Sequence, residues 1–356
     1  MFSRFFSSSW SPFSALFSEA HSETNNEEQS NFQYELNADE KRQLRNSEAK
    51  PKIVALYEEN DGAKNADLAI EHFENDGLEV IRVSPDEGLN HPTFTSNSFD
   101  GIYLPGGSDI PVHDDNDPRK KFEGQLTRLA RTQDIPLMGI CRGEQAIGHH
   151  NSLEVKDLSD YEKHYAVENN ASNPDLNNTV VVEKGSQLYA ALQSEFKDKD
   201  GPMEYSVTCL HHQHILDNSS HSEVQATGRN KFDNTIESIE IKTGKYYSFG
   251  VQHHPEVLIH SFENARKEKI IQAEIEAEEG RYKANYFDPE MAFETELTFV
   301  QKLRNARLES IDERAAKAEM RFFTKQVKKH FLEQESKQKE KQPADVDSSV
   351  HHTLWI

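Results

Sequence analysis

The sequence predicts an α/β fold: a mostly parallel central sheet flanked by helices, with an added C-terminal helical extension. Three observations carry this. Between residues 51 and 141, short apolar runs alternate with helix-period stretches, the pattern of βαβ units. Glycine-bearing turns follow several of those runs. After about residue 257 the chain becomes charged and helical.

The elements follow in order. Residues 1–50 do not read as core. Phe2, Phe5, Phe6, Trp10, Phe13 and Phe17 are interleaved with serines, and a polar run follows. Ser and Pro12 break any secretory apolar region, and Arg4 is the only early positive charge. A disordered polar tail is expected, with an amphipathic anchor or targeting peptide as the alternative. KIVALY (52–57) reads as a buried strand. The stretch 63–76 has helical period and stops at Gly77. LEVIRV (78–83) and FDGIYLPGG (99–107) read as strands, 119–134 as a helix and PLMGIC (136–141) as another buried strand. NTVVVEK (178–184), SIEIKT (238–243) and YYSFGVQHH (246–254) add β-structure. Residues 265–279 are helical. Beyond a break at Asp288-Pro289, the apolar residues Phe293, Leu297, Val300, Leu303, Ile311, Ala315, Ala318 and Phe322 recur mostly at threes and fours. That face is expected to pack on its own domain; a homodimer or protein partner held by these C-terminal helices is the alternative.

Composition excludes several classes. Acidic residues number 62 against 40 Lys+Arg, a formal charge of −22. Nucleic-acid binding needs clustered positive charge, so no nucleic-acid partner is expected. Apolar residues are 35 %, about 40 % with glycine and below the usual ~45–50 %, as if a core were diluted by polar appendages. No apolar run is long enough to span a membrane as a helix. Cys141 and Cys209 are the only cysteines, which excludes a disulfide scaffold and fits a reducing, cytoplasmic compartment. The extensions leave a secreted effector as the other reading of location.

Three motifs carry chemistry. Gly139-Ile140-Cys141-Arg142-Gly143 sits between a strand and a helical pattern. A nucleophile elbow needs such glycines because its turn is sharp, and a helix N-terminus favours a thiolate. Gly250-Val251-Gln252-His253-His254-Pro255-Glu256 ends a strand. On extended backbone His254 and Glu256 face the same side, the base and its orienting partner. Leu104-Pro105-Gly106-Gly107 follows a third strand and can turn an N–H toward an oxyanion. Each motif alone has a plainer reading: a core cysteine, two surface histidines beside a solvated Glu, and a strand-end turn.

Together, and in this order, they resemble the class I glutamine amidotransferase-like superfamily, most closely its γ-glutamyl hydrolase branch, which includes γ-glutamyl-γ-aminobutyrate hydrolases. The resemblance covers residues 52–258 through FDGIYLPGGSDI, PLMGICRGEQ, TCLHHQHI, TIESIEI and SFGVQHHPE. It implies Cys141 as nucleophile, His254 as general base and Glu256 as its partner. It implies an oxyanion hole at Gly107 and Arg142, and a substrate pocket near Gly106, Gln145, His212 and Gln213. No cofactor and no metal are implied. Gly148-His149-His150-Asn151 departs from the family's Gly-Gly pair, His253 stands where an aromatic is common, and Glu144 is unusual beside the elbow. TELTFVQKLRNA (295–306) resembles the family's closing helix. A catalytic domain over 51–307 is therefore expected, with 257–294 as a helical insertion, 308–342 as a charged helical extension and 343–356 as a disordered tail. A chain cut after about 308 is expected to stay folded.

The implied activity is hydrolysis of a small-molecule γ-glutamyl amide through a γ-glutamyl thioester. One alternative is a glutaminase domain feeding ammonia to a separate synthetase, since no P-loop is present. The other is a non-catalytic interaction protein on this fold. Histidine clustering (His149, His150, His211, His212, His214, His253, His254) offers a rival metal site, but no HExxH or CxxC spacing supports it. Cys209 reads as inert.

Overall fold

The structure is a computed structural model. It describes residues 35–59, 63–159, 164, 178–193, 195–196, 201–217, 223–242, 244–286, 298–302, 305 and 309–341. A short helix α1 (Ala38–Asn46) precedes the alternation β1 (Lys52–Leu56), α2 (Ala63–Asn75), β2 (Glu79–Val83), α3 (Pro92–Ser96), β3 (Gly101–Leu104), α4 (Pro118–Gln133), β4 (Leu137–Ile140) and α5 (Arg142–His150). Then come β5 (Val155–Asp157), β6 (Asn178–Val182), α6 (Gln187–Gln193), β7 (Met203–Val207), β8 (Gln213–Ile215), β9 (Val224–Asn230), β10 (Ile236–Lys242) and β11 (Tyr247–Val251). Two long helices follow, α7 (Pro255–Tyr286) and α8 (Ile311–Lys341).

The main sheet runs β2-β1-β3-β4-β11-β10-β9-β6-β7. The first five strands pair in parallel and the rest continue antiparallel from β11. β5 and β8 form a separate antiparallel pair. Ile53, Val54 and Ala55 are fully buried, as expected of a parallel strand covered on both faces. Alternate residues of β1 feed two cores. Ile53 and Ala55 meet α2 and α8, whereas Val54 and Leu56 join the core of α4 and α5. The expected α/β class, with helices on both faces of the sheet, is what the structure has.

Helix ends follow local chemistry. Gly77 takes a positive φ of 90° just beyond α2, where a side chain would be strained. Asp117 caps α4 by accepting from Lys120 N–H at 2.6 Å, with Pro118 as the first helical residue.

Two expectations need correction. Residues 35–50 are not a featureless tail. Asn37 and Glu40 form a capping box on α1, and Ser47 Oγ donates to Glu335 of α8 at 2.8 Å. The rest of the expected N-terminal tail, 1–34, and the C-terminal tail, 343–356, lie outside the described residues. The second correction concerns α8. Ala315, Ala316, Ala318, Met320, Phe322, Phe323 and Val327 belong to the same core as β1, α2, α6 and β7. Phe323 packs edge-on against Phe73 at 5.4 Å, and Phe322 against Phe249 of β11 at 5.2 Å. A chain ending near 308 would lose part of the domain's own core. The apolar face of α8 packs on that core. Of TELTFVQKLRNA, residues 298–302 are helical. The segment from 257 continues the helix that Pro255 opens, without a break to Tyr286.

Candidate active site

Three neighbouring strands, β3, β4 and β11, end side by side at the C-terminal edge of the parallel sheet. Each of the three motifs begins where one of them stops. Open α/β sheets place their sites at such edges.

Cys141 lies between β4 and α5. Its N–H donates to Val251 O at 2.8 Å, which ties the elbow to the end of β11. Its backbone takes φ 52° and ψ −109°, a region costly for a residue with a side chain. The glycines explain why the turn closes. A Cβ on Gly143 would sit 2.0 Å from Leu104 O, and one on Gly139 would sit 2.4 Å from Gly143 C. Cys141 is 4 % exposed.

His254 Nδ1 and Glu256 Oε1 are 2.6 Å apart, both residues being buried. The pair does not form on an extended strand as expected. β11 stops at Val251, and Glu256 stands in the first turn of α7. The turn into that helix, anchored by His254 N–H to Thr208 O at 2.8 Å, brings the carboxylate under the ring. The other side of the ring faces Cys141. Burial alone would lower the His254 pKa; the Glu256 carboxylate and the neighbouring Cys141 outweigh that and hold it up at about 10.

Gly106 closes the third side. A Cβ there would meet His254 Cε1 at 3.0 Å and Cys141 Cβ at 3.5 Å. Arg119 fixes this loop. Its Nη2 donates to Pro105 O and Gly106 O, each at 2.9 Å, and its guanidinium fills the space beside Gly107. Glu123 Oε1 accepts from Nε of both Arg119 and Arg142 at 2.9 Å. One buried carboxylate thus joins the glycine loop to the elbow. The sequence reading missed Arg119 and Glu123; their i,i+4 spacing on a helix was the available signal.

The remaining expected residues are spread out. Gln145 Nε2 donates to Gln213 O at 2.9 Å and Gln252 Oε1 at 3.0 Å. The Gln213 amide holds Ile110 and Asp157: its Oε1 accepts from Ile110 N–H at 2.7 Å and its Nε2 donates to Asp157 Oδ1 at 3.0 Å. His212 is exposed, with Asp109 at 3.7 Å. Arg142 points its side chain away from the thiol, toward Glu123, Ser108 and Asp117, while its backbone N–H opens α5.

His253 faces elsewhere. Its Nε2 meets Glu319 Oε1 at 3.0 Å, and its Nδ1 lies 3.9 Å from Glu237 Oε2. Burial opposes its charge, but the two carboxylates hold its pKa at about 10. Glu144 is fully buried behind Gly250, and its carboxyl oxygens have no hydrogen-bond partner among the described residues. Burial, helped by nearby Glu237, pushes its pKa well above the usual range.

A model of the Peptidase C26 family matches residues 69–256, more than half of the chain. The chain belongs to the Peptidase C26 family. The match to the C26 model ends at Glu256, the partner of His254. The family lies within the class I glutamine amidotransferase-like superfamily that the motifs resemble. A glutamine amidotransferase-like protein of Rickettsia prowazekii (strain Madrid E) is 33% identical over 82 residues, which cover 19% of this chain and 29% of that protein. This chain therefore spans less than a third of that relative. A solved glutamine amidotransferase of Thermotoga maritima superposes with a TM-score of 0.48 at 16% identity, covering 78% of this C26 chain and 99% of the other. One from Methylobacillus flagellatus gives 0.42 at 17% identity, covering 80% and 94%.

Proposed function

We propose that this protein is a cysteine hydrolase that cleaves a γ-glutamyl amide through a γ-glutamyl thioester on Cys141. The observation that carries the reading is the buried grouping of Cys141, His254 and Glu256 beside the Gly106 loop, with the His254–Glu256 hydrogen bond at 2.6 Å. The Cys141 thiolate attacks the γ-carbonyl, and the oxyanion rests on the N–H groups of Gly107 and Arg142. His254 gives its proton to the departing amine, and the tetrahedral intermediate collapses to the thioester. His254, now neutral, takes a proton from water; the hydroxide releases glutamate and restores the thiolate. Glu256 keeps the ring in one tautomer and stabilises its charge.

Gln145 and Gln213 act behind the pocket in this reading, holding its walls through each other and through Ile110. His212, being exposed, borders the entrance. Two reduced cysteines fit a cytoplasmic location.

The test is a substrate screen of the purified protein with glutamine, γ-glutamyl-GABA, γ-glutamyl dipeptides and polyglutamylated folate. Release of glutamate and free amine from a γ-glutamyl amine supports the reading. Turnover of glutamine alone, rising when a synthetase is added, would replace it with the glutaminase reading. No turnover of any of them, with Cys141 unreactive, would point to the non-catalytic alternative.

A further inference from the structure

Behind the active site, Cys209, His211, Glu237 and His164 turn their side chains toward one point. The four are fully buried or nearly so, and one ligand atom of each lies within 4.8 Å of the others. Glu237 Oε1 is 3.8 Å from His164 Nδ1 and 3.9 Å from His211 Nε2, and its Oε2 is 3.8 Å from Cys209 Sγ. The two nitrogen–oxygen separations exceed the ~2.7–3.2 Å of an N–H···O bond, while the thiol donates a weak bond to Oε2 across 3.8 Å. All three lie close to the ~3.3–3.8 Å edges of a tetrahedron of ligands around a cation at ~2.0–2.3 Å.

Two further observations point to a ligand. His164 Nδ1 and His211 Nε2, both deeply buried, have no hydrogen-bond partner among the described residues. A buried ring nitrogen left so is costly. The opposite nitrogen of each ring is fixed: His164 Nε2 is 2.7 Å from Asp233 Oδ2, and His211 Nδ1 is 2.9 Å from Gln213 O. A carboxylate or backbone carbonyl behind each imidazole is the outer support that metal-binding histidines use.

We propose that His164, Cys209, His211 and Glu237 form a closed, four-ligand site for a zinc-type divalent cation. Two imidazoles and a thiolate exclude magnesium and calcium, which take oxygen ligands. Four protein ligands leave no open position, so the cation is structural rather than catalytic. Ligation through Cys209 exchanges its S–H bond for a sulfur–metal bond and releases one proton to solvent. The site bears on the active site through its neighbours. Thr208, adjacent to Cys209, accepts the His254 N–H, and Glu237 also faces His253. The inference is independent of the proposed hydrolase activity. The expectation of no metal rested on motif spacing; the ligands here come from three separate segments, Cys209 and His211 sharing one, and carry no HExxH or CxxC signature.

The test uses the full chain, stripped by a chelator and titrated with Co²⁺ and then Zn²⁺. One Co²⁺ per chain is expected, with intense tetrahedral d–d bands and a thiolate-to-cobalt charge-transfer band. Zinc displaces it, releases about one proton per site filled and raises the melting temperature. Cys209→Ser loses the charge-transfer band and binds more than about tenfold more weakly; Cys141→Ser keeps both. Absence of the band in the wild-type chain overturns the proposal whether or not Cys209→Ser folds. So does a band lost in Cys141→Ser and kept in Cys209→Ser, which would move the metal to the catalytic thiol.

Discussion

Glu319 of the C-terminal helix receives His253 Nε2 at 3.0 Å, one residue away from the ring that faces Cys141. The C-terminal helix therefore contacts the residue next to His254. Beside that contact, Phe322 packs on Phe249, which lies in the strand leading to His254.

Removing this helix should unfold the domain. Truncation after residue 308 strips Met320, Phe322, Phe323 and Val327 from the core, each worth roughly 1.5–3 kcal/mol of burial. The single change Phe323→Ala is expected to cost about 3–5 kcal/mol in urea unfolding. A soluble, monomeric truncation with native circular dichroism would show that the helix is an accessory after all.

His253 predicts a pH dependence of stability. Its pKa is raised from 6.5 to about 10 in the folded chain. Its contribution is fully present below pH ~6.5 and is lost as pH rises through about 10, because the native state holds the extra proton. Within that window the group contributes a slope of about −1.4 kcal/mol per pH unit. Unfolding free energies between pH 6 and 10 should fall less steeply in His253→Gln than in the wild type. Equal slopes would place the proton elsewhere.

Glu123 joins two arginines, and breaking that link should be felt at the glycine loop. Glu123→Gln leaves Arg119 and Arg142 buried with reduced compensation; about 3–5 kcal/mol is expected for a broken buried pair. Arg119→Lys keeps the charge but not the forked donors on Pro105 and Gly106. It should therefore lower kcat with a smaller loss of stability than Glu123→Gln. If turnover in Arg119→Lys matched the wild type, the loop would not depend on this clamp.

Much of the fold was legible because burial writes itself into strands. KIVALY and PLMGIC have side chains enclosed on both faces, so they read as continuous apolar runs, whereas LEVIRV lies at the sheet edge with Glu79 and Arg82 exposed. The site motifs were legible because the elbow demands glycine two residues to either side of Cys141, at Gly139 and Gly143, by steric necessity. What the sequence hid depends on distance along the chain. His253 meets Glu319 and Asp100 meets His330 through tertiary packing, and no local period announces either. Helix α8 carries enough Lys and Glu to look like an appendage, yet its polar residues include Glu319 and Gln326, which are buried and paired with Tyr205 and Tyr247. The His254–Glu256 pairing was anticipated through the wrong backbone, since a strand-to-helix turn achieves what an extended segment was expected to do.

The partners of the thiol should be unequal. His254 moves a proton in both half-reactions of the proposed mechanism, and His254→Ala should lower acylation by about 10²–10⁴-fold. Glu256→Gln keeps a hydrogen-bonding group under the ring and should lose less. His253→Ala should largely spare acylation, because its ring faces Glu319 and Glu237. Single-turnover kinetics on the three variants checks the order; abolition in His253→Ala but not in His254→Ala would reverse the assignment.

The central claim is that Cys141 is the nucleophile, and the most direct measurement is covalent labelling with a glutamine-analogue electrophile followed by peptide mass mapping. The account predicts one adduct per chain, on Cys141, formed in the wild type and absent in Cys141→Ser. It also predicts much slower formation in His254→Ala. An adduct chiefly on Cys209, or one on Cys141 formed at the same rate without His254, would contradict it.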